Sequence, residues 1–186
     1  MAAKKPKKKQ SIRNSEYYNT QECFDQLYQD SLHGKRFTQL MDIVTSEENI
    51  MLAYRSIKKN KGSKTKGTNN STIVQMGEKA PNELISYVRK RLQNFHPHAI
   101  RRVEIPKPDG RLRPLGIPTI EDRIIQQCIK QVLEPICEAK FYKHSYGFRP
   151  NRSAHHAIAR AMFLANQSGF HFVVDVDIKG FFDNVN

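Results

Sequence analysis

Apolar side chains in the N-terminal half of the chain recur every three or four residues, as in helices with one buried face. Residues 20–32 hold Cys23, Phe24, Leu27, Tyr28 and Leu32 at that spacing. A shorter helix is expected at 34–43. A third is expected at 46–59, where Thr45 and Glu48 make a capping box and Ile50, Ala53, Tyr54 and Ile57 share a face. A helix over 81–94 opens with Pro81 in its first turn and buries Leu84, Val88 and Leu92. The period then changes. Residues 101–105 alternate as a strand does, Pro108-Asp109-Gly110 is a turn signal, and residues 112–117 return as a second strand. Prolines in both arms mark this hairpin as one of edge strands. Thr119 caps a long helix in which Ile124, Ile125, Cys128, Ile129, Val132 and Leu133 form a broad apolar stripe ending near Pro135 or a few residues later. Ser153 caps another, with Ala154, Ala157, Ile158, Ala161, Met162 and Ala165 on one face and Ser168-Gly169 as its stop. Residues 170–178 then alternate as a strand. Phe170, Phe172, Val174, Val176 and Ile178 share one face, and His171, Val173, Asp175 and Asp177 the other. A strand this strong so near the end of the sequence requires sheet partners, so the sequence reads as part of a longer protein.

Charge narrows the function. The 186 residues carry 31 Lys and Arg against 18 Asp and Glu, a formal charge of +13, which points to a polyanionic partner. No window approaches the roughly 18 apolar residues needed to span a bilayer, and the lysine-rich start is not a secretory signal. Three cysteines without a C-x-x-C pair exclude a disulfide scaffold and a cysteine-based zinc site, and they suit a reducing cytoplasm. Residues 1–11 read as a disordered basic tail. Arg55, Lys58, Lys59, Lys61, Lys64 and Lys66 follow one another with no acid among them, and Gly62, Gly67 and the Thr/Asn/Ser run through Thr72 make this a loop.

Three stretches carry candidate chemistry. Asp175 and Asp177, on one strand face, repel each other unless a cation lies between them. Their oxygen-only donors suit Mg²⁺ and phosphoryl transfer, although one strand supplies only part of such a site. Lys107, Arg111 and Arg113 surround one tight turn, as a cationic flap over a triphosphate would. Tyr146, Gly147, Phe148, Arg149, Pro150 and Arg152 precede a helix N-terminus, where rings can stack a base and arginines can hold phosphate. Taken singly, each has an ordinary reading: an acidic surface strand, a solvated hairpin, a loop anchored by its aromatics. His155 and His156 are i, i+1 neighbours on a helix and cannot share a metal ion, so they read as packing or phosphate contacts.

The ordered series IPKPDGRLRPLGIPTIEDRIIQ, SYGFRPNRSAHHAI and VVDVDIKGFFDNVN resembles the reverse transcriptases of group II intron-encoded proteins, the maturases, from about residue 46 onward. The segment from Asn60 to Ile73 resembles the family's added N-terminal stretch that contacts template RNA. It has Asn69-Asn70 where Asp-Gly is commoner. The resemblance implies an α+β fold: mainly helical fingers with a β-hairpin over 12–169, then the first palm strand of a right-hand polymerase over 170–186. It implies that Asp177 is the first catalytic aspartate and a metal ligand, with the Ile178 backbone carbonyl as another ligand and Asp175 as a supporting carboxylate. Lys107 and Arg113 match residues that grip the dNTP triphosphate, and Phe182 matches the residue that excludes a 2′-hydroxyl. Lys58, Lys59, Lys61, Lys64, Lys66 and Thr68, with Gly147, Phe148, Arg149, Pro150 and Arg152, are implied contacts to RNA template. The partners implied are intron RNA, an RNA template with a DNA primer, and dNTPs; the cofactor is two Mg²⁺ ions, and the oligomeric state, homodimer included, stays open. The second catalytic motif, an adjacent aspartate pair, has no counterpart, so these residues are not expected to polymerise alone. A non-catalytic RNA-binding module and a retron or diversity-generating enzyme are the alternatives, and the Lys61–Ile73 segment speaks against the latter.

Overall fold

The computed structural model describes residues 18–178 and residue 181. Residues through Lys140 form one compact unit and those from Phe141 onward a second, so the division falls inside the segment expected to run from 12 to 169. The first unit holds helices α1 (Gln21–Leu32), α2 (Leu40–Val44), α3 (Glu47–Lys59), α4 (Ile73–Gly77) and α5 (Pro81–Gln93). Strands β1 (Arg101–Pro106) and β2 (Leu112–Ile117) and helix α6 (Ile120–Glu138) complete it. Helix α7 (Ala154–Gln167) belongs to the second unit. This is the expected α+β class: among the described residues it is mostly helix, with one two-stranded antiparallel sheet.

Helix α6 organises the first unit. Ile120, Ile124, Ile125, Cys128 and Val132 are all fully buried, a stripe too wide for one neighbour to cover. Helices α1, α2, α3 and α5 all pack on it. They bring Leu27, Val44, Ile50, Ala53, Ile57, Leu84, Ile85 and Val88 into one core, which Ile73 and Met76 of α4 extend. Each isoleucine so covered contributes about 1.5–3 kcal/mol relative to exposure. The same apolar surroundings push the Cys128 thiol up to about 12, so it stays protonated and packs as a small hydrophobe.

The core is pinned by polar bonds that fit only one register. Asn49 is fully buried on α3; its amide nitrogen donates to the carbonyls of Val44 and Cys128, both at 3.0 Å. Gln131 of α6 donates back to the Asn49 side-chain oxygen at 2.7 Å and to its carbonyl at 3.1 Å. Ser31 of α1 donates at 2.8 Å to the Ile136 carbonyl, in the last turn of α6 where carbonyls lack helical partners. Pro135 lies inside the helix near its end and has no N–H to give the Gln131 carbonyl.

Several boundaries differ from expectation. The third helix is capped by Ser46, whose hydroxyl accepts from the Asn49 amide at 3.2 Å, not by Thr45. The helix expected at 34–43 forms only over α2; residues 35–39 are irregular. Within the stretch read as loop, Lys61–Lys64 make a 3₁₀ turn. Thr72 and Gln75 form a capping box that opens α4. Ser153 occupies the N-cap position of α7 without a side-chain cap bond.

The largest correction concerns residues 170–178, expected to form a palm strand. They carry no strand, and Phe172, Val174 and Val176 are exposed by 81% or more. A strand exists only where a neighbour takes its backbone N–H and C=O groups, and among the described residues none lies beside this segment. The basic tail and Phe182 lie outside the described residues. Among the described residues no helix is long and apolar enough to cross a membrane.

Asn49→Ala should cost about 1–3 kcal/mol, because it removes the side-chain partner of the Val44 and Cys128 carbonyls and leaves the Gln131 amide only the backbone carbonyl of residue 49. The expected readout is a lower urea midpoint with unchanged m-value. An unaltered midpoint would show that the network is incidental to the α3–α6 register.

Candidate nucleic-acid interface and catalytic carboxylate

The lysine-rich loop is exposed in its side chains and clamped in its backbone. Lys58, Lys59, Lys61, Lys64 and Lys66 all face solvent, with the Lys58 ammonium 5.6 Å from the centre of the Tyr54 ring. The backbone between them is held by arginines from elsewhere. Arg123, one turn into α6, donates from Nε to the Pro118 carbonyl at 3.1 Å and from Nη1 to the Gly62 carbonyl at 2.9 Å. Its Nη2 donates to the Thr65 carbonyl. Arg101 at the start of β1 donates to the Lys66 carbonyl at 3.0 Å, and the Thr68 hydroxyl to the Ala99 carbonyl at 3.0 Å. Gly67 allows this approach: a Cβ there would stand 2.6 Å from Thr119 Cα and 2.9 Å from Thr119 N, contacts no real Cβ makes. Burial lowers the pKa of Arg123 below its ordinary value, but three carbonyl acceptors keep the guanidinium satisfied. Asn70 adopts a positive φ of 59°, and the Asn69 side chain accepts from the Ser71 amide at 3.2 Å. Asparagine tolerates this left-handed conformation better than most residues.

The hairpin rises from the same unit. Arg101 pairs with Ile117 and Ile105 with Arg113, and the Lys107 amide continues the register by donating to the Arg111 carbonyl at 2.7 Å. By strand alternation Lys107, Arg111 and Arg113 therefore share a face. Arg111 is committed within the turn: its guanidinium meets the Asp109 carboxylate at 2.6 Å and holds that carboxyl below its usual pKa. Among the described residues no ion pair involves Lys107 or Arg113, and both are exposed. Two uncommitted cations thus stand on one face near the tip, with a neutralised pair between them.

In the second unit, the turn from Phe141 to Ser153 is built around Arg149, which is 9% exposed. Its Nη1 donates to the carbonyls of Tyr142 at 2.7 Å and Ser145 at 3.0 Å, and its guanidinium lies 5.2 Å from the Phe141 ring centre. Arg152 donates to the Lys143 carbonyl at 2.9 Å and lies 5.7 Å from the Tyr146 ring centre. Just before Arg149, Phe148 takes a positive φ of 57° and is fully exposed, with an unobstructed Gly147 before it and an exposed Pro150 two residues on. A non-glycine residue in the left-handed region is costly and persists where its surroundings hold it. The guanidiniums of Arg149 and Arg152 hold the carbonyls of Tyr142, Lys143 and Ser145 on the preceding arm of the turn. The stretch carrying Asp175, Asp177 and Ile178 is exposed throughout. Its carboxylate oxygens fit a hard divalent ion in kind, while among the described residues no three His, Cys, Asp or Glu side chains gather to complete a metal site.

Comparison with known proteins accords with this inventory. Residues 105–186 match the family described as reverse transcriptase (RNA-dependent DNA polymerase). The chain is 36% identical over 156 residues, 81% of its length, to protein YkfC of Escherichia coli strain K12, and spans 41% of that protein. It is 33% identical over 169 residues, 90% of its length, to the group II intron-encoded protein LtrA of Lactococcus lactis subsp. cremoris, of which it spans 26%. The putative COX1/OXI3 intron 1 protein of Saccharomyces cerevisiae is 33% identical over 166 residues, 88% of this chain and 19% of that protein. Residues 105–186 belong to the reverse transcriptase family. As a class, reverse transcriptases use divalent metal and nucleic-acid partners, and the exposed cations and oxygen donors above are of that kind.

Within this reverse transcriptase sequence the structure separates residues that were grouped by type. Arg149 closes the aromatic turn with its guanidinium turned inward, so it positions Phe148 and Gly147 through the turn's own carbonyls. Arg111 is paired where Lys107 and Arg113 are not. Arg123 and Arg101 were not among the candidates, yet they set the shape of the lysine loop. In the sequence Arg123 is one of three consecutive charged residues, Glu121, Asp122 and Arg123, that open an apolar helix, and nothing there singles it out. Asp122, 2% exposed, was missed as well. It accepts from Arg91 at 2.7 Å and from the His98 amide at 2.7 Å, and so fastens the segment leading into the hairpin to the start of α6.

Arg123→Met should release the loop without unfolding the core. Amide exchange over residues 61–68 should quicken about tenfold or more, since charge-assisted bonds to carbonyls are worth about 1.5–3 kcal/mol, while α3 and α6 keep their protection. Exchange unchanged across 61–68 would mean the loop holds its own shape.

Proposed function

We propose that these residues form the fingers and the start of the palm of a group II intron-encoded RNA-directed DNA polymerase. It would copy an RNA template into cDNA from a DNA primer and dNTPs, and bind its intron RNA to assist splicing. The observation that carries this reading is the family match over residues 105–186, which takes in the hairpin, the aromatic turn and the carboxylate segment in one order. The likeness to the Lactococcus protein over 90% of the chain supports the intron-encoded branch.

Each group has a role in this chemistry. The primer 3′-hydroxyl attacks the α-phosphate in line and pyrophosphate leaves. Lys107 and Arg113, uncommitted and on one hairpin face, would neutralise the charge that grows on the departing phosphates. Asp177 and the Ile178 carbonyl would hold Mg²⁺, with further ligands from beyond these residues. Bound Mg²⁺ supplies charge neutralisation at the phosphate oxygens. Phe182 would lie under the incoming sugar and exclude a 2′-hydroxyl by bulk. Phe148 and Gly147 would meet the template, with Arg149 and Arg152 holding their turn. The exposed lysines from Lys58 to Lys66 would take the RNA backbone, presented at the spacing that Arg123 and Arg101 impose.

In a full-length protein carrying this sequence, Asp177→Asn should reduce cDNA synthesis by about three orders of magnitude or more while leaving RNA affinity within about twofold. Undiminished synthesis would refute the assignment of Asp177. Loss of synthesis in the parent protein itself would leave the RNA-binding module as the function.

RNA affinity should fall about 10³-fold between roughly 50 and 200 mM salt if some six phosphates are engaged. Replacing Lys61, Lys64 and Lys66 together by Gln should flatten the log–log slope by about three. A slope unchanged by the triple variant would place the RNA elsewhere.

A further inference from the structure

The hairpin that carries Lys107 and Arg113 is exposed along most of its length, and its strands pack chiefly on one another. Its direction is therefore set at its base. The arm that enters it, residues 95–100, has no regular structure, and only His98 within it is half-buried. Asp122, in the first turn of α6 and 2% exposed, takes hold of the arm at that residue. Its Oδ2 accepts from the His98 amide at 2.7 Å. Its Oδ1 accepts from Arg91 at 2.7 Å and lies 3.1 Å from Nδ1 of the His98 ring. Arg91 also donates to the His96 carbonyl at 3.0 Å. The arm that leaves the hairpin reaches Thr119 two residues after β2. Thr119 is fully buried, its hydroxyl accepts from the Asp122 amide at 3.4 Å, and it stands 3.2 Å from the same His98 nitrogen. Both arms are thus closed on one residue. A buried ion pair contributes little net stability, because desolvation offsets the attraction; here its directional bonds fix geometry.

Geometry at the base is magnified at the tip. The six residues of β1, at about 3.3 Å each, carry Lys107 about 20 Å outward. A tilt of about 10° at the base moves the tip by about 3 Å, and a misplacement of about 1 Å at a reacting centre can cost about 10²-fold in rate. Asp122 itself is too deeply buried to meet a nucleotide. We propose that Asp122 is a positioning residue for polymerisation: by clasping both arms of the hairpin it sets where Lys107 and Arg113 meet the triphosphate. This rests on the reading of the hairpin as the triphosphate grip.

The test is single-nucleotide incorporation on an RNA template and DNA primer by a full-length protein carrying this sequence. Asp122→Asn should raise the KM for dNTP about tenfold, with kcat lowered by less than about threefold and primer–template affinity within about twofold. A merely structural role would lower the active fraction, and with it the apparent kcat, and leave KM alone. His98→Ala keeps the backbone bond and the Arg91 pair; it should raise KM about threefold, and it serves where the buried substitution prevents folding. In a Lys107→Gln/Arg113→Gln background, Asp122→Asn should change KM by less than about twofold, because the groups it misplaces are already gone. A loss confined to kcat, a full tenfold rise in that background, or wild-type KM in both Asp122→Asn and His98→Ala would overturn the proposal alone, provided that Lys107→Gln by itself raises KM. An unchanged KM in Lys107→Gln would remove the triphosphate grip, and this proposal with it.

Discussion

A helix with Ile120, Ile124, Ile125, Cys128 and Val132 all withdrawn from water needs cover on more than one side. That requirement on α6 sets the position of nearly everything in the first unit. Helices α1, α2, α3 and α5 are there because they cover it, and each is amphipathic or short enough to do so. Apolar contact alone would allow these helices to slide. The bonds between Asn49 and Gln131, and from Ser31 to the Ile136 carbonyl, admit only one alignment, because a shift of a single residue would leave buried donors unpaired.

The same helix carries structure outward to the lysine-rich surface. Its first turn holds Glu121, Asp122 and Arg123 in succession, and each side chain leaves in a different direction. Asp122 fastens the approach to the hairpin through Arg91 and His98, and Arg123 fastens the lysine loop. Glu121 is held by hydrogen bonds from Asn69 and Ser71. A strongly basic protein thereby spends some of its arginines on its own backbone. Arg101, Arg123, Arg149 and Arg152 all donate to main-chain carbonyls, and arginine suits this work because its planar fork reaches several acceptors at once. The lysines of the loop, each with a single charge at the end of its stem, are left facing solvent.

Much was legible in the sequence because it depended on near neighbours. The period of apolar residues marked the helices at 21–32, 47–59, 81–93 and 120–138, and the turn at Pro108-Asp109-Gly110 marked the hairpin. Local chemistry also disclosed the order of lysine loop, cationic hairpin, aromatic turn and carboxylate pair, on which the family resemblance rested. Where residue type and partner diverge, sequence was silent. Arg111 and Arg113 look alike in a string, yet one is bound to Asp109 and the other is not. Arg149 reads as an RNA contact and serves as the keystone of its own turn.

The segment from 170 to 178 shows the limit most clearly. Its alternation states which residues would share a face, since that follows from backbone geometry alone. Alternation cannot supply hydrogen-bond partners, and among the described residues no strand lies beside the segment for it to join. The sequence by itself determined helix periods, turn positions, net charge and the inventory of reactive groups, all properties of a few consecutive residues. Only the tertiary structure decided which charged side chains are consumed by internal carbonyls and which remain for a ligand, because that depends on groups brought together from distant parts of the chain.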